Sequence, residues 1–431
     1  MKRRNFFRSL GGFAGTSLFT LPVLNERTVN IAKKLTSFSS DPELAARDED
    51  FWHTVRQAYT VSAGMINLNN GGVSPHPRLV EEKVNRYNAL SNEAPGFYMW
   101  RILGRTRPTV HQNLARLAGC KADELAVMRN ATEALATVIM GLDLKSGDEI
   151  VVTEQDYPSV LNALDLRERR HKIKIKKISL PIPLNDPDEV VKLYSDAIGP
   201  RTKAMVFCHV IHLTGQIMPA EALCELARKN NIYSIVDGAH SFAQLDFHVP
   251  DLDCDFFATS LHKWLCAPFG TGMLYMKKEH IPKVWPLNGY PEGELMLMSK
   301  FEHLGTRSLG VELAINDAIR FHEGIGIARK QSRLNYLKKY WTERVADIPR
   351  LSFTSIPNAA NTCAICSFNL EGWKPLDLHN ALLRKYSLYT TALLDVVPGV
   401  RVSPQVYTSL NELDTLVKAI HELAETKPPR N

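Results

Sequence analysis

The sequence of 431 residues contains neither a G-x-G-x-x-G run nor a Walker pattern. That absence argues against a dinucleotide or a nucleoside triphosphate as the bound group. No apolar stretch reaches the ~20 residues that a membrane-spanning helix needs. Neither charge dominates, since 52 basic residues stand against 46 acidic ones, and nothing marks a nucleic-acid surface. Internal repeats and low-complexity tracts are also lacking. Cysteines number only seven, and an odd count in a long chain does not suggest a disulfide framework. Cys363-Ala-Ile-Cys366 has redox-motif spacing, but it lies in an apolar run that reads as a buried strand. A plain core role is expected there, and no metal site is predicted.

What is present is globular. Hydrophobic residues make up 45% and charged residues 23%, and the length suits one large and one smaller domain. Four of the six net positive charges, on Lys2, Arg3, Arg4 and Arg8, fall within the first 24 residues, which hold no acid. The basic run precedes an uncharged stretch, residues 9–24, rich in Leu, Phe, Gly and Ala. This is a secretory signal pattern, and Arg3-Arg4-Asn5-Phe6 resembles the twin-arginine export signal of bacteria. No clean A-x-A cleavage site follows. Export to the periplasm through the twin-arginine machinery is the expectation, with a basic cytoplasmic tail as the alternative.

Between residues 120 and 280, strand-like and helix-like runs alternate. Strands are expected over residues 124–129, 149–153, 172–180, 203–209, 232–237, 255–260 and 272–276. Helices are expected over 131–142, 158–169, 186–198 and 219–230. The run at 172–180 alternates basic and β-branched residues, as an exposed edge strand does. Repeated units of this size predict an α/β fold whose mostly parallel sheet is covered on both faces. Ligands of such sheets sit at the carboxyl ends of the strands. Residues 308–345 read as helical. Strands at 350–353, 363–370 and 400–403 with helices at 375–385 and 410–425 then predict a smaller α+β domain. Residues 41–59 are polar, helical in pattern, and expected to pack on it.

The strand ends carry the chemistry. Ser260-Leu261-His262-Lys263-Trp264 follows one strand and precedes Gly270-Thr271-Gly272. A lysine there, in apolar and aromatic company, has its pKa lowered by desolvation and can form a Schiff base. Taken alone, a surface lysine is the blander reading. Asp237 ends another strand, and a carboxylate at that point can pair with a protonated pyridine nitrogen, as pyridoxal phosphate (PLP) enzymes require. An aspartate capping its own turn is the alternative. His240 and Ser260 can serve a phosphate or a phenol oxygen. Asn130-Ala131-Thr132-Glu133 is a capping-box pattern that also offers a helix amino terminus to a phosphate, with the Thr132 hydroxyl beside it. Tyr157 can stack on a pyridine face, and His212 can reach a phenolate oxygen; rim packing and a structural histidine are their plain alternatives.

These residues resemble the class V aminotransferase family of fold-type I PLP enzymes. The resemblance spans roughly residues 67–417 and rests on Asn-Ala-Thr-Glu-Ala at 130–134, Val-Asp-Gly-Ala-His at 236–240, Ser-Leu-His-Lys at 260–263, Gly-Thr-Gly at 270–272 and Gly-Thr-Arg at 305–307. Asn69-Asn70-Gly71 and the N-A-T and G-T-R forms are most similar to the isopenicillin N epimerase branch. The resemblance implies a seven-stranded-type sheet in a large domain, a small carboxyl-terminal domain, and pyridoxal 5'-phosphate as cofactor. It implies Lys263 and Asp237 as catalytic residues. Ala131, Thr132, Tyr157, His212, Asp237, His240, Ser260, His262, Lys263 and Thr306 would bind the cofactor. Thr306 would do so in the partner of a homodimer. Arg401 and Asn70 would bind a small amino-acid-like substrate, Arg401 through its carboxylate.

The implied boundaries are a signal over 1–30, an arm over 31–66 packing on the small domain, a PLP-binding domain over 67–307 and a small domain over 308–431. The implied activity is α-carbanion chemistry on an amino acid or related amine, through a Lys263 Schiff base. Transamination, epimerisation and β-elimination share that core. Desulfurases of the family need a loop cysteine shortly before the carboxylate arginine, and residues 386–400 contain none. Two other classes are weighed, a nicotinamide or nucleotide-sugar enzyme and an exported non-catalytic binding protein. The missing glycine fingerprint disfavours the first, and the pairing of Lys263 with Asp237 the second.

Overall fold

A computed structural model of the chain describes residues 41–184, 186–426 and 428. The signal expected over residues 1–30, and the start of the arm at 31–40, lie outside the described residues. Helices Pro42–Ala46 and Glu49–Arg56 form the rest of the arm. Asp41 and Asp48 cap them by accepting from backbone N–H groups of the first turn. The arm meets the carboxyl-terminal region: Arg56 pairs with Glu412 at 2.7 Å, and Glu49 with the buried Arg333.

The first strand, β1 (Ile66–Asn67), follows the arm. Seven more build the central sheet: β2 (Leu125–Met128), β3 (Glu149–Thr153), β4 (Lys174–Ile178), β5 (Thr202–Cys208), β6 (Tyr233–Asp237), β7 (Phe256–Ser260) and β8 (Gly272–Met276). Their spatial order is β2-β8-β7-β6-β5-β3-β4. The pairs β3–β4, β3–β5, β5–β6 and β6–β7 are parallel. β8 runs antiparallel to both β2 and β7. Those two reversals leave β2 pointing the same way as β7, so every strand but β8 ends on one edge of the sheet. Strands β3, β7 and β8 are buried along their whole length, as continuous apolar runs covered on both faces must be. β4, with the sequence Lys-Ile-Lys-Lys-Ile, is the half-exposed edge, and its lysines discourage further strand pairing.

Alternating side chains feed two apolar cores. Val127, Phe207, Val236 and Phe257 face one, which also takes in Leu309, Ile315 and Ile319. Ala126, Val206, Ile235 and Phe256 face the other, beneath helix Ala131–Gly141. A third core of Leu337, Trp341, Phe368, Val400, Leu413 and Ile420 lies under a four-stranded antiparallel sheet. That sheet is built from β9 (Leu351–Phe353), β10 (Cys366–Leu370), β12 (Thr391–Leu393) and β13 (Gly399–Val402), in the order β12-β13-β10-β9. The short β11 (Leu388–Tyr389) pairs in parallel with β1.

Several local expectations shift. The helical run at 308–345 is three helices, Leu309–Leu313, Ile315–Ile325 and Ile327–Val345, with Gly326 at φ +86° separating the last two. The strand expected from 363 begins at Cys366, because Cys363 N–H donates to Gly215 O and Ala364 N–H to Gln244 Oε1, away from the sheet. Cys363 and Cys366 are both buried and free. Pro219 is the residue before helix Ala220–Lys229 rather than within its first turn. Strands β1, β11 and β12 span only two or three residues, too few for alternation to register in sequence. Two glycines are dictated by close approach. A Cβ on Gly272 would lie 2.6 Å from Asn130 Cα, and one on Gly238 would lie 1.8 Å from the Phe257 ring. Both let a strand end reach the edge where the functional residues collect.

Candidate active site

Each predicted strand-end residue is carried to the common carboxyl edge. β7 ends at Ser260 and the chain turns at once, with Lys263 N–H directed to Ser260 O and Ala267 N–H to Leu261 O. Lys263 is buried. Its Nζ lies 3.4 Å from His240 Nε2 and 5.4 Å from the centre of the Tyr157 ring. Burial lowers its pKa to about 8; Arg401 pushes the same way, and Asp237 opposes. The amine is therefore increasingly free of its proton as the pH rises through about 8.

Asp237, the last residue of β6, is buried, and its Oδ1 accepts from Ala239 N–H at 2.9 Å. Burial raises its pKa; Lys263 and the Ala239 N–H restrain the rise. A second carboxylate, Asp156, stands behind it. Asp156 Oδ1 accepts from the N–H of Cys208, which is register partner to Asp237. Its Oδ2 accepts from Thr153 N–H and Oγ1–H. Burial lifts Asp156 to about 6, and the charge of Asp237 adds to the rise.

The helix Ala131–Gly141 brings its amino terminus to this edge. Asn130 Oδ1 accepts from Glu133 N–H at 2.8 Å, as a cap. Glu133 answers through Arg129 N–H at 2.7 Å, one residue before the cap. Ala131 N–H donates to Ser260 Oγ at 2.9 Å, and Thr132 Oγ1 lies 3.0 Å from Ser159 Oγ. The Thr132 N–H is left without an acceptor among the described residues. Hydroxyls of Thr132, Ser159 and Ser260 thus gather at a positive helix end. His262 is half-buried, with Nδ1 3.1 Å from Thr271 O.

Tyr157 is 39% exposed, and its ring meets His212 edge-on at 5.1 Å. His212 and His240 are both held well below the usual histidine range, chiefly by burial and further by Lys263 and Arg401. Arg401, on β13, reaches across from the small sheet. Its Nη1 donates to His212 O at 3.0 Å and its Nη2 to Asn69 Oδ1 at 2.9 Å. Burial lowers the guanidinium to about 10, and no carboxylate pairs with it among the described residues. Its Nε and His212 Nδ1 are buried without hydrogen-bond partners among the described residues.

Two predicted residues stand apart. The Asn70 amide is spent within the protein: Oδ1 accepts from Tyr407 and Asn67, and Nδ2 donates to Asn67 O and Ser403 O. It ties the segment after β1 to the end of β13, and its neighbour Asn69 makes the contact with Arg401. Asn-Asn-Gly announced the pair; Asn70 is fully buried at the start of a turn, and the half-buried Asn69 is the one that reaches Arg401. Thr306 is exposed on the loop after the 3-10 helix Met298–Glu302, with no hydrogen bond to the cluster. Asp156, Ser159 and Trp264 were not among the expected site residues; Asp156 and Trp264 each adjoin one that was, and Ser159 stands two residues from Tyr157.

A family model described as aminotransferase class-V matches residues 67–416. Isopenicillin N epimerase of Amycolatopsis lactamdurans is 30% identical over 395 residues, covering 87% of this chain and 99% of that protein. Among solved structures, an apo cysteine desulfurase from Thermococcus onnurineus NA1 superposes with a TM-score of 0.77 at 26% identity, covering 88% of this chain and 98% of that one. A C-DES mutant with glycine covalently linked to its PLP cofactor has a TM-score of 0.77 over 86% of this chain and 99% of its own. At 19% identity, that likeness speaks for the fold.

Proposed function

The chain belongs to the aminotransferase class-V family, and from that premise we propose that Lys263 works at the α-carbon of an amino acid or related amine that carries a carboxylate. The cofactor is pyridoxal 5'-phosphate, which supplies an electron sink for the pair left at that carbon. The residues present fit such a group. Asp237 is the buried carboxylate for a protonated ring nitrogen. The Thr132 N–H and the hydroxyls of Thr132, Ser159 and Ser260 suit a phosphate, and Tyr157 offers a ring to stack on. The partnerless, buried Nδ1 of His212 and Nε of Arg401 mark where polar ligand atoms belong.

One observation carries the reading: Asp237 and His240 from the end of β6, Lys263 from the end of β7 and Arg401 from β13 converge into one buried cluster around an amine at about 8. A buried neutral amine is a competent base near that pH. Lys263 takes the proton from the α-carbon, while Arg401 holds the carboxylate so that this bond faces the amine. Burial keeps water from competing. Where the proton goes next sets the product. Return to the opposite face inverts the centre, net amino transfer leaves a keto acid, and loss of a β-group is elimination. The epimerase outcome has specific support in the match along nearly the whole length of isopenicillin N epimerase, and in the lack of a cysteine at residues 386–400.

Incubating the holoenzyme with a panel of amino acids in deuterated water is expected to yield α-deuteration with at least one of them. Chiral and keto-acid analysis then identifies the outcome. No exchange, inversion, keto acid or released β-group from any member, with cofactor bound, would overturn the reading. Arg401→Lys is expected to raise KM by roughly 10–100-fold with kcat largely kept, because a bidentate charge-assisted contact becomes a point charge. Steady-state kinetics on the identified substrate check this; an unchanged KM would place the carboxylate elsewhere.

We also propose a homodimer in which the exposed Thr306 serves the partner's site, and export by the twin-arginine machinery, which carries folded proteins and so admits a preloaded cofactor. A monomer by sedimentation at micromolar concentration would overturn the first. Native protein found only in the cytosolic fraction, with Met1 intact, would overturn the second.

A further inference from the structure

We propose that Trp264 is a positioning residue: its indole N–H pins His240 as the Nε2–H tautomer, so that the imidazole faces Lys263 only as a hydrogen-bond donor. The proposal rests on Lys263 being the reactive amine of the site. Trp264 Nε1 lies 3.3 Å from His240 Nδ1, and His240 Nε2 lies 3.4 Å from Lys263 Nζ. An indole N–H can donate and never accept. Nδ1 must therefore present its lone pair, and the ring proton of neutral His240 resides on Nε2. A positively charged His240 would set two N–H groups against each other at Nδ1.

The arrangement is held from behind. Trp264 is fully buried. Its carbonyl accepts from Nζ of Lys330, a buried residue of helix Ile327–Val345. The backbone carbonyl of His240 accepts from the Gln244 amide. These two bonds fix the backbone on which the indole and the imidazole are mounted. The charged and titratable groups that face it agree with this state. Lys263 from the turn after β7, Arg401 from β13 and His212 from the loop after β5 all oppose a second proton on His240. Lys263 is faced in turn by Asp237 and Arg401. A phenylalanine at 264 would fill much of the same apolar space; only the indole also supplies the donor. The consequence is directional. With Nε2–H aimed at it, Nζ is placed to accept, which is the form a base needs. An ammonium on Lys263 would meet a donor instead.

The experiment uses the full chain labelled with ¹⁵N-histidine and freed of cofactor by dialysis against a competing amine. Long-range ¹H–¹⁵N correlation spectra identify His240 by the signal missing from a His240→Asn chain. The wild type is expected to show Nε2 protonated and Nδ1 unprotonated, unchanged between pH 6 and 9. In Trp264→Phe, His240 is expected to gain the neutral Nδ1–H form, whose Nε2 lone pair can accept from a Lys263 ammonium. Competitive acetylation of Lys263 at pH 7 is then expected to slow by about tenfold, the equivalent of one pH unit in its midpoint. A protonated Nδ1 in the wild type overturns the proposal. So does a folded Trp264→Phe chain in which both signatures are unchanged. If that variant fails to fold, the wild-type spectrum decides alone. None of these readings needs bound cofactor. A chain that shows the expected tautomer but gains no lysine-dependent absorbance band with PLP would therefore sink the proposed function and leave the tautomer standing.

Discussion

Replacing Lys263 with alanine is expected to lower turnover by about 10⁴-fold and to remove the lysine-dependent absorbance band that forms when PLP is added to the chain. Both follow from one side chain that supplies the only amine of the cluster among the described residues. Folding is expected to survive. The buried amine releases its proton near pH 8, whereas the unfolded chain holds it to about 10.5. Between these values the unfolded state binds more protons, so wild-type stability rises with pH across that window and carries its full penalty below about pH 8. Lys263→Ala lacks that rise. Urea denaturation of both cofactor-free chains at pH 7 and pH 10 should show a gap favouring the alanine chain at pH 7 and narrowing at pH 10. A variant that keeps the absorbance band would move the Schiff base to another lysine, and the assignment of Lys263 would fall.

Asp237→Asn is expected to cost about 10²–10³ in turnover, the scale for removing one preorganised electrostatic partner from a buried site. Asparagine retains the shape but cannot hold a positive ring nitrogen. Activity and stability should separate here as well. Asp237 and Asp156 are both raised by burial, and the charge of Asp237 adds to the rise of Asp156. A buried acid whose folded pKa lies above its unfolded one destabilises the fold increasingly as pH rises between the two values. For Asp156 that window runs from about 3.8 to about 6. Above it the penalty is complete, so removing one of the two charges should leave the melting temperature at pH 7.5 unchanged or higher without cofactor. Calorimetry on the two chains checks this. A marked loss of stability together with activity would make Asp237 a structural residue instead.

Much of this site was legible because its chemistry lies in short contiguous runs. Lys263 and Ser260 share one strand-to-turn segment, as do Asp237 and His240, and Asn130 and Thr132. Each strand announces its own carboxyl end, and a parallel sheet brings those ends together without further information. Arg401 was legible only through resemblance, since nothing in Val400-Arg401-Val402 says that a guanidinium will cross from the small sheet to His212. Asn70 rather than Asn69 was expected at the substrate because neighbouring amides are chemically alike, and only the folded chain shows which one meets Arg401. Asp156 looked like an ordinary loop acid, and its place behind Asp237 comes from β3 and β6 lying either side of β5.

The sequence by itself determined the class of fold, the order of the seven central strands along the chain and the kind of cofactor, and it singled out Lys263 as the candidate for the reactive amine. These follow from local periodicity and from motifs whose members are close in the chain. Tertiary structure alone decided which asparagine holds Arg401, that two carboxylates stand together at the end of the sheet, and that His240 is pinned between an indole and an amine. Those are contacts between side chains on different elements, where direction, burial and the number of free donors matter. Such quantities exist only once the strands have found their neighbours.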